Sequence, residues 1–371
     1  MVEKQVKPSL KGVGVNPSGQ SYFIDHLAPI SILMGNPLLF IDGNDFELGS
    51  KYYPGLQAEL VDYDQLTPEY LIAHYDVLFL SEQWDRHTFH EKFRLLEMKY
   101  EKTLRHVHVP HGFSDKGFYL CKTANEDIPL LYGPHMLDMF KHYGVLSNLR
   151  QYVISGNFRF SYYKMYRPFF EKIVQEEVSS RFARPELPMI LYAPTWKDLE
   201  ESTSFFDACS SVIDTLPKDY NLLVKLHPRL ELDDPGLYYH LTGKYETKPN
   251  VLFLKDFPLV YPLLDKAALY IGDMSSVGYD FLPFNRPMFF LNQQKRDSKT
   301  DRGLTLFQCG VEIHPDEYSK MHAIIAKELP TDWERFSEVR KKMELYTFGE
   351  EREFSAIKKD IIAAYSQPYE E

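Results

Sequence analysis

LYIGDMSSVGYDFLPFNRPMFFLN, Leu269 to Asn292, is the stretch that decides the fold. It reads as a buried strand, a turn carrying two adjacent serines, a short helix and a second buried strand, the unit from which parallel α/β sheets are built. Ser275 and Ser276 stand at the helix start, where unpaired N–H groups and the helix dipole favour an anion. Two readings follow. A serine before a helix is ordinarily an N-cap; two of them at the carboxyl end of a strand can also seat a phosphate.

Working outward, the same rhythm fills the second half of the chain. MILYAPTW (Met189–Trp196), NLLVKLHPR (Asn221–Arg229), NVLFLKD (Asn250–Asp256), ALYIGD (Ala268–Asp273) and PMFFLN (Pro287–Asn292) are apolar runs ending in polar turns. The first half has its own set: PLLFID (Pro37–Asp42), DVLFLS (Asp76–Ser81), HVHVPHG (His106–Gly112) and QYVISGN (Gln151–Asn157). An amphipathic helix is expected over Phe89–Lys102, with Phe93, Leu96 and Tyr100 on one face. The aromatic, charged stretch Phe158–Arg184, helical over Arg167–Val178 and followed by Pro185 and Pro188, reads as the linker. These patterns predict a domain over 1–160, a second over 161–345, and a C-terminal helix over 346–371. That helix begins after a break at Thr347-Phe348-Gly349 and would turn a Phe354, Ile357, Ile361 and Ile362 face back onto the first domain.

A chain of 371 residues exceeds one typical domain, and 44% hydrophobic with 15% aromatic residues excludes disorder. A net charge of −11 argues against coating nucleic acid, which needs a basic face. Cys121, Cys209 and Cys309, odd in number and far apart, form neither a disulfide framework nor a zinc cluster, which suits a reducing compartment. The start, MVEKQVKPSLKG, has no apolar core of signal-peptide length, and no run reaches the roughly 18 apolar residues of a membrane span. A cytoplasmic protein is expected, with membrane contact at most peripheral.

In open parallel sheets ligands bind beyond the carboxyl ends of the strands, so the polar residues there carry the chemistry. His111, between Pro110 and Gly112, is offered at a strand end as a candidate general base; the plain alternative is a turn histidine bonded to a carbonyl. His106 and His108 alternate within the strand and read as packing. In LHPR, Pro228 ends the strand, leaving His227 and Arg229 to reach phosphate oxygens. Thr195 occupies the first strand-to-helix turn of the second half, where a nucleotide-binding domain keeps its phosphate loop, but no Gly-x-Gly-x-x-Gly or P-loop is present. A nucleotide would be held through Ser, Thr, His and Arg groups. This chemistry calls for no cofactor and no metal.

Together, HGFSDKG (His111–Gly117), YAPTWKD (Tyr192–Asp198), KLHPR (Lys225–Arg229) and GDMSSVGYDF (Gly272–Phe281) resemble, in order and spacing, the CDP-glycerol glycerophosphotransferase family. The resemblance implies a GT-B architecture, an α/β fold of two facing Rossmann-like domains with parallel sheets and an interdomain cleft. By carry-over, His111 is the base; His227, Ser275 and Ser276 hold the donor pyrophosphate; Asp256 and Asp280 match acidic positions lining the donor pocket. The implied partners are a nucleotide-activated donor, CDP-glycerol or a nucleotide sugar, and a glycan or lipid-linked acceptor. Pro110 stands where the family usually has an aromatic residue, and Gly272-Asp273-Met274 replaces its usual Thr-Asp-Tyr. The alternatives that remain open are a GT-B glycosyltransferase using a CMP- or UDP-sugar, a sugar-nucleotide epimerase, and a non-catalytic nucleotide- or glycan-binding module.

Overall fold

The computed structural model describes residues 10–17, 21–81, 93, 95–117, 121, 123 and 126–367. It divides into two compact units: residues 1–111, 118–159 and 350–371 form the first, and 112–117 with 160–349 form the second. The short segment 112–117 thus packs with the second unit, although the residues on either side of it belong to the first.

The first unit holds a parallel seven-stranded sheet in the order β3-β2-β1-β4-β5-β6-β7. Its strands are β1 (Gly12–Asn16), β2 (Leu38–Phe40), β3 (Ala58–Leu60), β4 (Val77–Leu80), β5 (Arg105–His108), β6 (Ile128–Leu131) and β7 (Val153–Ile154). Leu38, Phe40, Val77, Phe79 and Val107 are fully buried, as continuous apolar runs in a sheet covered on both faces must be. His106 and His108 are buried within β5. Of the amphipathic helix expected over 89–102, residues 93 and 95–100 are helical; 89–92 and 94 lie outside the described residues. The helix Phe354–Tyr365 packs on β6, β7 and the helix Ser21–Met34. It does so through Ile357, Ile361 and Ala364, whereas Ile362, expected on that face, is exposed.

The second unit holds a six-stranded parallel sheet ordered β10-β9-β8-β11-β12-β13, the Rossmann sequence of strands. These are β8 (Met189–Ala193), β9 (Asn221–Lys225), β10 (Val251–Leu254), β11 (Ala267–Gly272), β12 (Met288–Leu291) and β13 (Val311–Ile313). Ile190, Tyr192, Val224, Ile271 and Phe289 pack on the buried face of the helix Phe205–Asp214, whose Ala208, Cys209 and Val212 are fully buried. Burying each large apolar side chain of this kind contributes about 1.5–3 kcal/mol. The stretch 158–184, helical over Arg167–Glu177 as expected, also forms the helix Phe158–Met165 and buries Tyr162, Tyr163 and Phe170. The helix Met321–Phe348 closes the unit and is stopped by Gly349 at a φ of 71°. Among the described residues, no helix is long and apolar enough to cross a membrane.

Candidate functional site

The strand order of the second sheet reverses between β8 and β11, and a crevice for a ligand opens at such a switch point. Asp273, the residue after β11, spans it. Its buried carboxylate accepts from the Thr195 amide at 2.9 Å, from the Ser204 amide at 2.7 Å and from the Ser204 hydroxyl at 2.7 Å. Burial pushes its pKa up to about 6, against the downward pull of the Ser204 and Thr195 bonds. Sequence reading passed over Asp273, although its place two residues before Ser275 marks it.

Ser275 caps the helix Ser276–Phe281, its hydroxyl accepting from the Val277 amide at 3.4 Å. The plain N-cap reading is therefore correct for Ser275. Ser276, half-buried, follows as the first helical residue. Gly272 fits its place because a Cβ there would lie 2.1 Å from the Tyr270 hydroxyl. The tyrosine fills the space a larger residue would need.

Thr195 is buried with its hydroxyl accepting from Lys116 Nζ at 2.9 Å. Accepting this bond leaves the Thr195 hydroxyl its own hydrogen to donate. Lys116 also pairs with Asp198 at 2.5 Å, and that carboxyl, which burial alone would raise, is held below the usual range by the Lys116 charge and by bonds from Ser202. Neither Lys116 nor Asp198 was singled out in the sequence, though both lie inside the motifs quoted above.

At the end of β9, the Arg229 amide donates to His227 Nδ1 at 3.2 Å. A nitrogen that accepts carries no proton, so the neutral ring holds its hydrogen on Nε2 and can donate it. Arg229 is exposed and lies over the Trp196 indole, its guanidinium carbon 3.9 Å from the ring centroid. Asp256 follows β10 in the left-handed region, φ 52°, and is exposed. Asp280 is buried on the helix after the serines, its carboxylate accepting from the Tyr261 hydroxyl at 2.9 Å.

The carboxyl ends of four neighbouring strands, β10, β9, β8 and β11, therefore carry Asp256, His227 with Arg229, Thr195, and Asp273 with the serines. Three strand spacings of about 4.8 Å make a row about 14 Å long. That length suits a nucleoside diphosphate better than a single phosphate.

In the first unit, His111 follows β5 and keeps access to solvent. Its ring packs 5.1 Å from Phe23 and 6.4 Å from Tyr22, both from the first turn of the helix Ser21–Met34. Its Nδ1 lies 3.4 Å from the Ser81 carbonyl, which can only accept, so Nδ1 carries the proton and Nε2 is left as a base. Desolvation lowers the His111 pKa, partly offset by the Ser81 carbonyl. One helical turn beyond Phe23, buried His26 is held well below the imidazole range by burial, then by Arg159 and His111. Arg159 is itself paired with Asp25, which also accepts from Tyr53 at 3.0 Å. Among the described residues, no cluster of His, Cys, Asp and Glu is arranged to hold a metal.

Two parallel sheets with interleaved helices, one in the Rossmann order and the other in that order extended by a strand, define a two-unit α/β protein of GT-B type. The wall teichoic acid polymerase TagF has this fold, with a TM-score of 0.63 at 14% identity, over 97% of this chain and 90% of that one. So does Anabaena Alr3699/HepE, solved in complex with UDP-glucose, with a TM-score of 0.54 at 12% identity, over 96% of this chain and 99% of that one. Residues 169–346 match the family model of CDP-Glycerol:Poly(glycerophosphate) glycerophosphotransferase. It is also 30% identical over 119 residues to the teichoic acid glycerol-phosphate primase of Bacillus subtilis (strain 168). That alignment covers 31% of this chain and 28% of the primase, so the chain matches under a third of that relative's length.

Proposed function

We propose that the protein is a transferase that moves a polyol phosphate from a CDP-linked donor to the hydroxyl of a glycan or lipid-linked acceptor, releasing CMP. The observation that carries this reading is the family match over 169–346, which contains the whole row of strand-end residues from Thr195 to Ser276. TagF, solved with CDPG, agrees with the donor class.

In the proposed step, the acceptor oxygen attacks the β-phosphorus and forms the new P–O bond. The bond from that phosphorus to the bridging oxygen breaks, and its electron pair leaves with CMP. His111 Nε2 takes the acceptor's proton, leaving a phosphodiester. Such transfer depends on alignment and charge stabilisation more than on covalent catalysis. His227 Nε2–H, the Ser276 hydroxyl and the Arg229 guanidinium are the groups to stabilise phosphate charge, each worth about 3–4 kcal/mol by analogy with a lost oxyanion donor. Asp273 ties the Thr195 turn to the strand end that carries the serines. A lipid-linked acceptor would bring the protein to the cytoplasmic face of a membrane as a peripheral visitor.

Incubation with CDP-glycerol and a polyol-phosphate acceptor should release CMP in proportion to acceptor consumed. His111→Ala should abolish this turnover while leaving CDP affinity within a few-fold. Collapse of CDP binding in that variant would remove His111 from the role of base. The UDP-glucose complex of HepE favours a second reading, a glycosyltransferase; there the nucleotide released would be UDP.

A further inference from the structure

We propose that Gly112–Gly117 is a positioning clamp for the transfer, in which Asp115 and Lys116 bolt the chain that leaves His111 onto the serine turn and the Thr195 turn of the second unit. This inference rests on the reading of His111 as the base and assigns two positioning residues to the same site.

The segment is six residues long, yet its Phe113, Asp115 and Lys116 side chains are all fastened to the second unit, to which it belongs. Gly112 has a φ of 105°, and a Cβ there would lie 2.6 Å from Ser276 Oγ, so only glycine brings the backbone this close to the second serine. The Phe113 ring meets that of Tyr279 edge-on at 4.9 Å. Asp115 accepts from the Tyr279 hydroxyl at 2.7 Å and from the Leu306 amide at 3.2 Å. Lys116 donates to Thr195 Oγ1 at 2.9 Å and pairs with Asp198 at 2.5 Å. Asp115, Lys116 and Asp198 are all buried.

Stability alone does not explain this arrangement. Burying an ion pair and a further carboxylate costs desolvation that apolar side chains of the same size would avoid. What directional bonds supply is orientation, the property a supporting shell must give to a reacting group. His111 is joined to Gly112 by one planar peptide, so fixing Gly112 against Ser276 narrows the arc through which the imidazole can move.

The test uses the full chain. Tyr279→Phe removes one bond to Asp115 while keeping the ring that Phe113 packs on. Lys116→Met alone strands the Asp198 charge, so Lys116→Met with Asp198→Asn releases the second tie without leaving a buried ion. Each should lower kcat about 10-fold or more, since small misplacements of a reacting group are that costly, with donor KM and CDP affinity changed less than 3-fold. Lys116→Arg should recover most of the rate. Unchanged kcat in both variants, or a loss of CDP affinity equal to the loss of kcat, would overturn the clamp. Hydrogen exchange read without any substrate separates this from failure of the transferase reading. The amides of 113–117 should be protected in the wild type and exchange faster in both variants. Exchange at surface-loop rates in the wild type refutes the clamp whatever reaction the protein performs.

Discussion

Two carboxyls hold protons at pH values where surface carboxyls do not. Asp115 is raised to about 7, first by burial and then by Asp301, against the lowering bonds from Tyr279, Leu306 and Thr305; the Cys309 thiol is also within electrostatic reach. Asp273 is raised to about 6. A carboxyl with a raised folded pKa keeps a proton that the unfolded chain gives up near pH 4. The stabilisation is therefore complete below about pH 4 and is lost as pH rises toward the folded value. For Asp115 the window runs from about 4 to about 7. Asn at this position can still accept from Leu306 and donate to the Tyr279 oxygen, but it does not titrate. The stability of wild type relative to Asp115→Asn, from urea midpoints, should fall steadily between pH 4.5 and 8. Parallel curves would show that Asp115 does not hold a proton in the folded state.

At the scale of elements, the long runs of the sheet were readable because strands buried on both faces are written in unbroken Val, Ile, Leu and Phe. Those from β8 to β12 are of this kind. The strands that escaped reading are short or atypical: GVGVN of β1, AEL of β3, IPLL of β6 and VEI of β13. In β1 the glycines have a packing reason, since a Cβ at Gly14 would lie 2.7 Å from both Leu38 Cδ1 and Ser31 Oγ. The helix Met321–Phe348 carries Pro330 in its interior. That helix is anchored by Arg340, fully buried, which pairs with Asp332 at 2.8 Å and donates to Asn285 Oδ1 at 2.8 Å. Arg340→Met leaves the Asp332 carboxylate buried without its cation and should cost about 3–5 kcal/mol of unfolding free energy, read as a lower urea midpoint. Arg340→Met with Asp332→Leu should recover much of the loss. A single variant as stable as wild type would mean that Arg340 is not the anchor.

At the scale of the whole molecule, the strand ends were legible and the ties among them were not. His111, His227, Thr195 and the serines could be found from position alone, whereas Lys116 reaches a partner 79 residues away and Asp115 one 164 residues away. No local pattern encodes such pairings. The chain's course through the two units has a further consequence. Residues 350–371 return to the first unit, where Ile357 and Ile361 are fully buried, Lys358 donates to the Met34 carbonyl at 2.8 Å and Arg352 bonds the Ile154 carbonyl at the end of β7. Ending the chain at Gly349 would uncover the flank of β6 and β7 while leaving every strand of the second unit in place. Hydrogen exchange of that truncated chain should show β6, β7 and the helix Ser21–Met34 losing protection, with β8–β13 still protected and CDP affinity retained within about 3-fold. Uniform loss of protection across both sheets would instead mean that the second unit draws its stability from the first, and that the two fold as one cooperative body.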